Sequence, residues 1–213
     1  MELRTSRLAA SQAEGASRML ARAFRDDPVA RYLFPDGPRR ARLLPWYLGS
    51  AVRYCLPYGE VYAAEDVGGV AAWLPPGKAR VSNYWHMFKS GMLSAPLRVG
   101  PAAFSRLRAL REYTEDAHER LAPEKHWYLF VLGVDPARQG RGIGGALTGP
   151  VLSRADAGGI PCYLETQYER NLPFYEGQGF EVVEEGAVPN GGPYFWSMYR
   201  PPGRSRPGPE RGG

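Results

Sequence analysis

Lysine, histidine and cysteine are all scarce in this chain of 213 residues: three lysines stand beside 24 arginines, with three histidines and two cysteines. Cys55 and Cys162 lie far apart in different predicted elements, which excludes a disulfide framework or a zinc spacing. Both thiols are expected to stay reduced, with Cys162 in the core. His86, His118 and His126 are scattered along the chain and are expected at the surface, so no metal site is read from them. No uninterrupted apolar run approaches the roughly 20 residues that span a bilayer, and Met1-Glu2-Leu3-Arg4 opens no apolar signal core. The expectation is therefore a cytoplasmic protein without a membrane partner, either monomer or homodimer. No Gly-Lys-Ser/Thr is present, which leaves a nucleoside triphosphatase loop without support.

What is present suits one globular domain. The chain is 44% hydrophobic and 12% aromatic, long enough to bury a core without cross-links. The net charge of +5 belongs mainly to the last fourteen residues, where Arg200, Arg204, Arg206 and Arg211 face only Glu210. Without them 23 basic residues stand against 21 acidic, about +2. A nucleic-acid binder concentrates charge on a folded face, so no nucleic-acid partner is expected. The reading is one domain over residues 1–203 and a disordered Arg/Pro/Gly tail over 204–213.

The order of elements is mixed α/β. Leu3 to Arg7 reads as an edge strand, and a helix runs from about Ser11, as N-cap, to Phe24, where Asp26-Asp27-Pro28 breaks it. A second helix covers about Pro38 to Tyr54. Glu60 to Glu65 and Val70 to Leu74 read as antiparallel strands joined by a tight turn. Ser82 to Leu121 is helical but broken at Gly91, Pro96 and Gly100-Pro101. Trp127 to Val134 is a continuous apolar run of central-strand length. After it come a helix over Ile143 to Ala157, a strand over Pro161 to Thr166, a short helix around Leu172 to Gln178, and strands near Phe180 to Glu184 and Tyr194 to Tyr199.

Chemistry concentrates in the loop after the central strand. Gln139-Gly140-Arg141-Gly142-Ile143-Gly144 leads into a helix, so successive main-chain N–H groups converge on an anion and the helix N-terminus adds partial positive charge. Such a turn suits a pyrophosphate, and Arg138 and Arg141 can screen further phosphate charge. Gly140, Gly142 and Gly145 also fit the dinucleotide-binding pattern. There, however, the first glycine follows its strand at once, whereas five residues, Asp135 to Gln139, intervene here.

With Gln139, Gly142 and Gly144 in the form Gln-x-x-Gly-x-Gly, and Asn171-Leu172-Pro173-Phe174-Tyr175-Glu176-Gly177-Gln178-Gly179-Phe180 in the form Asn-x-x-x-Tyr-Glu-x-x-Gly-Phe, the sequence resembles the GNAT superfamily of acetyl-coenzyme A-dependent N-acetyltransferases. Through Gly133-Val134, Leu164-Glu165-Thr166 and Arg170-Asn171-Leu172-Pro173-Phe174-Tyr175-Glu176 it looks like the branch containing puromycin N-acetyltransferase. The resemblance implies an α/β (α+β) fold: a mixed, mostly antiparallel central sheet flanked by helices and splayed between its fourth and fifth strands. It implies that main-chain groups of Leu132 and Val134 bind the pantetheine arm of acetyl-CoA, that Gln139, Gly140, Arg141, Gly142, Ile143 and Gly144 hold its pyrophosphate, and that Asn171 contacts the cofactor. It also makes Tyr175 the general acid that protonates the leaving thiolate.

Acetyl transfer also needs a base for the incoming ammonium. Glu165, at the end of the fifth strand, is placed to face the acetyl group. For the acceptor, aromatics beside carboxylates suit a cationic small molecule, with Phe24, Asp27 and Trp73 foremost and Asp26, Trp46, Tyr47, Tyr54, Trp85 and Tyr113 as further candidates. The expected reaction is N-acetylation of a small-molecule primary amine. A protein N-terminus or lysine as acceptor, or a non-catalytic acetyl-CoA-binding module, are the alternatives.

Overall fold

A computed structural model describes residues 3–58, 60–81 and 83–203; the tail expected to be disordered, 204–213, lies outside them. Seven strands form one sheet in the order β1-β2-β3-β4-β5-β7-β6. They are β1 (Thr5–Arg7), β2 (Val61–Ala64), β3 (Gly69–Leu74), β4 (Trp127–Val134), β5 (Cys162–Thr166), β6 (Glu181–Ala187) and β7 (Tyr194–Arg200). Every neighbouring pair is antiparallel except β4 with β5, which is parallel. The continuous apolar run of β4 puts it at the centre, because a strand covered on both faces has no polar side to show.

Helices cover both faces. On one lie α1 (Ala13–Ala23), α2 (Pro28–Leu33), α3 (Gly37–Cys55), α4 (Tyr84–Ser90) and α5 (Ala95–Leu121), around a core that includes Met19, Leu20, Leu44, Val52, Leu110, Tyr128 and Tyr163. On the other lie α6 (Ile143–Gly158) and α7 (Leu172–Glu176), around Trp73, Leu129, Leu147, Val151, Leu164, Tyr175 and Met198. The alternation along β5 shows the division: Tyr163 faces the first core, Cys162 and Leu164 the second.

Several expectations change at the ends of elements. Ser11 does not cap α1; a 3-10 turn over Ala10–Gln12 precedes it, held by the Ala9 N–H donating to Gln12 Oε1 at 2.9 Å. Asp27-Pro28 ends one helix and also starts another, because Asp27 Oδ1 accepts from Val29 N at 2.8 Å and Pro28 loses nothing in a first helical turn. The link between β2 and β3 is a 3-10 turn in which Asp66 and Val67 adopt φ of 53°, rather than a tight hairpin turn. Cys55 and Cys162 are both buried free thiols.

Leu147 on α6 is fully buried against β3, and adding a Cβ to Gly69 would meet its Cδ1 at 2.9 Å. Leu147→Ala therefore opens a cavity where helix and sheet are closest and should cost about 2–5 kcal/mol, read as a lower denaturation midpoint at unchanged m-value.

Candidate active site

The parallel pair is short. Trp127 pairs with Cys162 and Tyr128 with Tyr163, and no further rung forms although β4 continues to Val134. From Leu129 onward the backbone edge of β4 that faces β5 has no strand opposite it. An edge of free N–H and C=O groups inside a sheet takes an extended, amide-bearing ligand as an added strand. Leu132 and Val134 sit along this stretch, half-buried, with side chains against the α6 core.

At the mouth of the gap stands Glu165. Its Oε2 accepts from the Tyr128 hydroxyl at 2.7 Å, while Oε1 is buried and has no partner. Burial raises its pKa from 4.5 to about 7, against the lowering effect of the Tyr128 hydrogen bond and, after it, of the Tyr163 hydroxyl. Such a carboxylate is a base matched to neutral pH, with one oxygen free to take a proton.

The glycine turn lies where β4 meets α6. Gly140 and Gly142 hold φ of 74° and 78°, a left-handed conformation that leaves Gly142 as N-cap of α6 with the first helical amides directed outward. Gly144 serves contact: an added Cβ would meet the Phe174 ring at 3.0 Å, so its absence lets α7 approach α6. The turn is anchored on α1, since Arg22 donates to Asp135 Oδ2 and Asp135 Oδ1 accepts from Ala137 N at 3.1 Å. The Arg22 hydrogen bonds and charge hold the Asp135 carboxyl below its ordinary range. Gln139 Nε2 donates to Val134 O at 3.1 Å, closing the loop on the strand. Of the two arginines, Arg141 is exposed, whereas Arg138 turns toward the β2–β3 link, donating to Glu65 O at 3.2 Å with Asp66 at 3.9 Å.

Tyr175 lies on the opposite face of the sheet from Glu165. Its ring is buried in the α6 core, edge-on to Phe174 and Phe180, and burial pushes its phenol well above the ordinary value. Asn171 donates from Nδ2 to Thr166 Oγ1 at 3.1 Å, which ties the start of α7 to the end of β5.

The acceptor candidates divide. Phe24, Asp27 and Tyr47 stand on the Glu165 side, where burial, with the Asp27 charge adding to it, raises the Tyr47 phenol to about 12. Asp27 itself is raised to about 6, chiefly by burial. The loop carrying it is tied to the exit of β5 by Tyr168, whose hydroxyl donates to Asp26 O at 2.8 Å. Trp73 does not join them: it is completely buried in the α6 core, on the other face, and serves packing. Trp85 also stands apart, exposed and stacked on Phe88. His118 and His126 are not surface residues; both are buried and bonded to each other through Nε2 at 2.6 Å. Their spacing of eight bridges the end of α5 and the start of β4, so no periodicity within one element signals the contact. The sequence reading also missed Tyr128, which reads only as one more apolar residue of a central strand. Among the described residues no group of three His, Cys, Asp or Glu side chains forms a metal site.

Gly142→Val puts a β-branched side chain at φ 78°, where only glycine is unstrained. Relief of that strain, about 1–3 kcal/mol, moves the turn's amides off the geometry that receives an anion, and should appear as a fivefold or greater loss of acetyl-CoA affinity by calorimetry in a protein whose circular dichroism is unchanged.

Comparison with known proteins agrees with this geometry. The sequence profile of the Acetyltransferase (GNAT) family matches residues 23–180. An uncharacterised N-acetyltransferase of Schizosaccharomyces pombe is 27% identical over 182 residues, covering 82% of this chain and 72% of its own length. Among solved structures, an acetyltransferase of Corynebacterium glutamicum related to histone acetyltransferase HPA2 superposes with a TM-score of 0.65 at 23% identity, covering 95% of this chain and 97% of its own. A polyamine N-acetyltransferase of Drosophila melanogaster, which forms N-acetylagmatine, gives 0.61 at 14% identity, covering 94% and 100%. The chain belongs to the GNAT family and is an acetyl-CoA-dependent acetyltransferase.

Proposed function

We propose that this enzyme acetylates a primary amine of a small, cationic molecule by direct transfer, with Glu165 as base and Tyr175 as acid. The observation that carries the reading is the parting of β4 and β5 beyond the Tyr128–Tyr163 rung, with the half-bonded Glu165 carboxylate in the gap. Acetyl-CoA fits there as an extended arm along Leu129 to Val134, with Gln139, Gly140, Arg141, Gly142, Ile143 and Gly144 at its pyrophosphate and Asn171 beside it; it supplies the thioester. Arg138 is a weaker contact, being engaged at the β2–β3 link.

The two faces of the sheet then divide the proton traffic. The acceptor enters from the face of α1, α2 and α3, where Phe24 offers an aromatic surface and Asp27 a buried carboxylate for a distal cation. Glu165 takes a proton from the ammonium group, directly or through water. The amine nitrogen then bonds the thioester carbon, the carbon–sulfur bond breaks with its electron pair leaving on sulfur, and the second proton that the nitrogen sheds on becoming an amide passes to the departing thiolate across the Tyr175 hydroxyl, which donates from the α6 face and regains a proton in the same step. Because burial raises that phenol, Tyr175 keeps its proton throughout the neutral range and stabilises the developing thiolate by hydrogen bonding as the charge appears.

A screen of small amines, polyamines and peptides with acetyl-CoA, read as thiol release, tests the acceptor class. Turnover confined to peptide N-termini or lysines, or to no amine at all, would sink it. For the base the sign is fixed: Glu165 must be ionised, so kcat/KM rises with pH through about 7. Glu165→Gln should abolish that limb and lower kcat/KM by about 10²–10⁴-fold near neutrality. A limb that survives the substitution shows that another group titrates. Tyr175→Phe should bind acetyl-CoA with nearly unchanged affinity and lose at least roughly tenfold in kcat, a loss that shrinks with an acetyl thioester of a more acidic thiol. If only the KM for acetyl-CoA rises, Tyr175 binds and does not donate.

A further inference from the structure

The buried pair His118 and His126 has no place in the chemistry above, yet it lies against the rung at which the sheet opens. His118, near the end of α5, stacks on Tyr163 at 4.6 Å between ring centroids and 17° between planes. It also packs on Tyr128 at 4.4 Å and on His126 at 4.8 Å. Tyr128 and Tyr163 are register partners, the last pair before β4 and β5 separate; the Tyr128 hydroxyl donates to Glu165 Oε2, and the Tyr163 hydroxyl also acts on that carboxylate, more weakly. Two histidines thus cap the rung that carries the base.

Their hydrogen bonding admits one arrangement. His126 Nδ1 lies 2.7 Å from the Glu124 carbonyl, which only accepts, so Nδ1 carries the proton. In a neutral ring His126 Nε2 is then the acceptor, and the 2.6 Å bond is a donation from His118 Nε2–H. The groups around the pair keep it neutral: burial lowers both rings, His118 to about 3, and Arg80, whose charge reaches both, is paired with Glu119 on α5. The result is a fixed, uncharged clamp between α5 and the start of β4, with the two tyrosine rings seated on it.

We propose that the His118–His126 pair is a positioning element for the acetyl-transfer base: by fixing the Tyr128–Tyr163 rung it aims the Tyr128 hydroxyl at Glu165 and so sets the pH range in which that carboxylate works. This rests on Glu165 being the base. Loss of the Tyr128 hydrogen bond removes a contact that favours the ionised carboxylate, so Glu165 becomes harder to ionise.

The test is the pH dependence of kcat/KM in the full-length enzyme with acetyl-CoA and a working amine. His118→Phe keeps a ring on Tyr163 but cannot donate to His126; it should move the acid limb to higher pH by at least about half a unit while acetyl-CoA affinity stays within twofold. Tyr128→Phe should move it the same way, and the double variant no further, because both changes remove one interaction. His118→Gln, which retains an N–H donor, should restore the wild-type limb. If His118→Phe fails to fold, His118→Met, equally unable to donate, takes its place. An acid limb that stays where it was in a variant of lowered melting temperature overturns the proposal and leaves the pair a structural clamp. Should Glu165→Gln keep the limb, the base assignment fails instead, so the two failures are distinguishable.

Discussion

The structure turns on two strands that pair for two residues and then separate. A parallel pair closed along its whole length would satisfy its own backbone and leave nothing to bind. Here Trp127 and Tyr128 are matched to Cys162 and Tyr163, and beyond them an open edge runs through the centre of the sheet. Opening a sheet at its centre exposes polar backbone that must find partners, so the rest of the protein has to hold the strands apart. On β5 that work falls to β7, which pairs with all five residues from Cys162 to Thr166. On β4 it falls to β3, matched from Gly69 to Leu74 around a bulge at Ala72/Trp73. Each side of the gap is thus braced by an antiparallel neighbour.

The strand alternation beside the gap also divides the candidate site residues between two cores. A residue on β5 faces one core or the other by strict alternation, so Glu165 falls on the side of Tyr128 and Tyr163, while Leu164 falls on that of Tyr175. Glu165 and Tyr175 therefore stand on opposite faces of the sheet, to either side of the gap. The carboxyl is raised to about 7 and the phenol is also raised, both mainly by burial, yet the effects differ in use. For the carboxyl, burial brings proton affinity close to neutral pH; for the phenol, it keeps the ring protonated throughout the neutral range.

Much of this was legible because local chemistry and global position agreed. The apolar run of β4, the glycines that require positive φ, and the Asn–Tyr–Glu spacing of α7 each have a meaning that survives folding. What escaped depends on long-range contact. Asp27-Pro28 reads equally as a stop and as a start, and only the Asp27 bond to Val29 N shows it to be both. Trp73 is an aromatic that could serve as a cation platform, until β3 turns it into the core against α6. His118 and His126 look like stray surface residues because their partner rings, Tyr128 and Tyr163, come from two different strands. The glycine turn was legible to the residue, but the Arg22–Asp135 contact that anchors it spans 113 positions.

A site of this kind works against the stability of the chain that carries it. Glu165 has a folded pKa of about 7 against an ordinary 4.5, and Asp27 about 6 against 3.8. In both the native state holds its proton more tightly than the unfolded chain does, so their contribution to stability is fully present below the ordinary values and declines as pH rises through 6 and 7. At neutral pH, where Glu165 becomes ionised, the fold has given up that contribution. The burial that makes Glu165 useful is the same burial that makes its ionised form costly, and neither can be tuned alone. A cation placed against either carboxylate would restore what ionisation removes, because it favours the charged form that burial penalises.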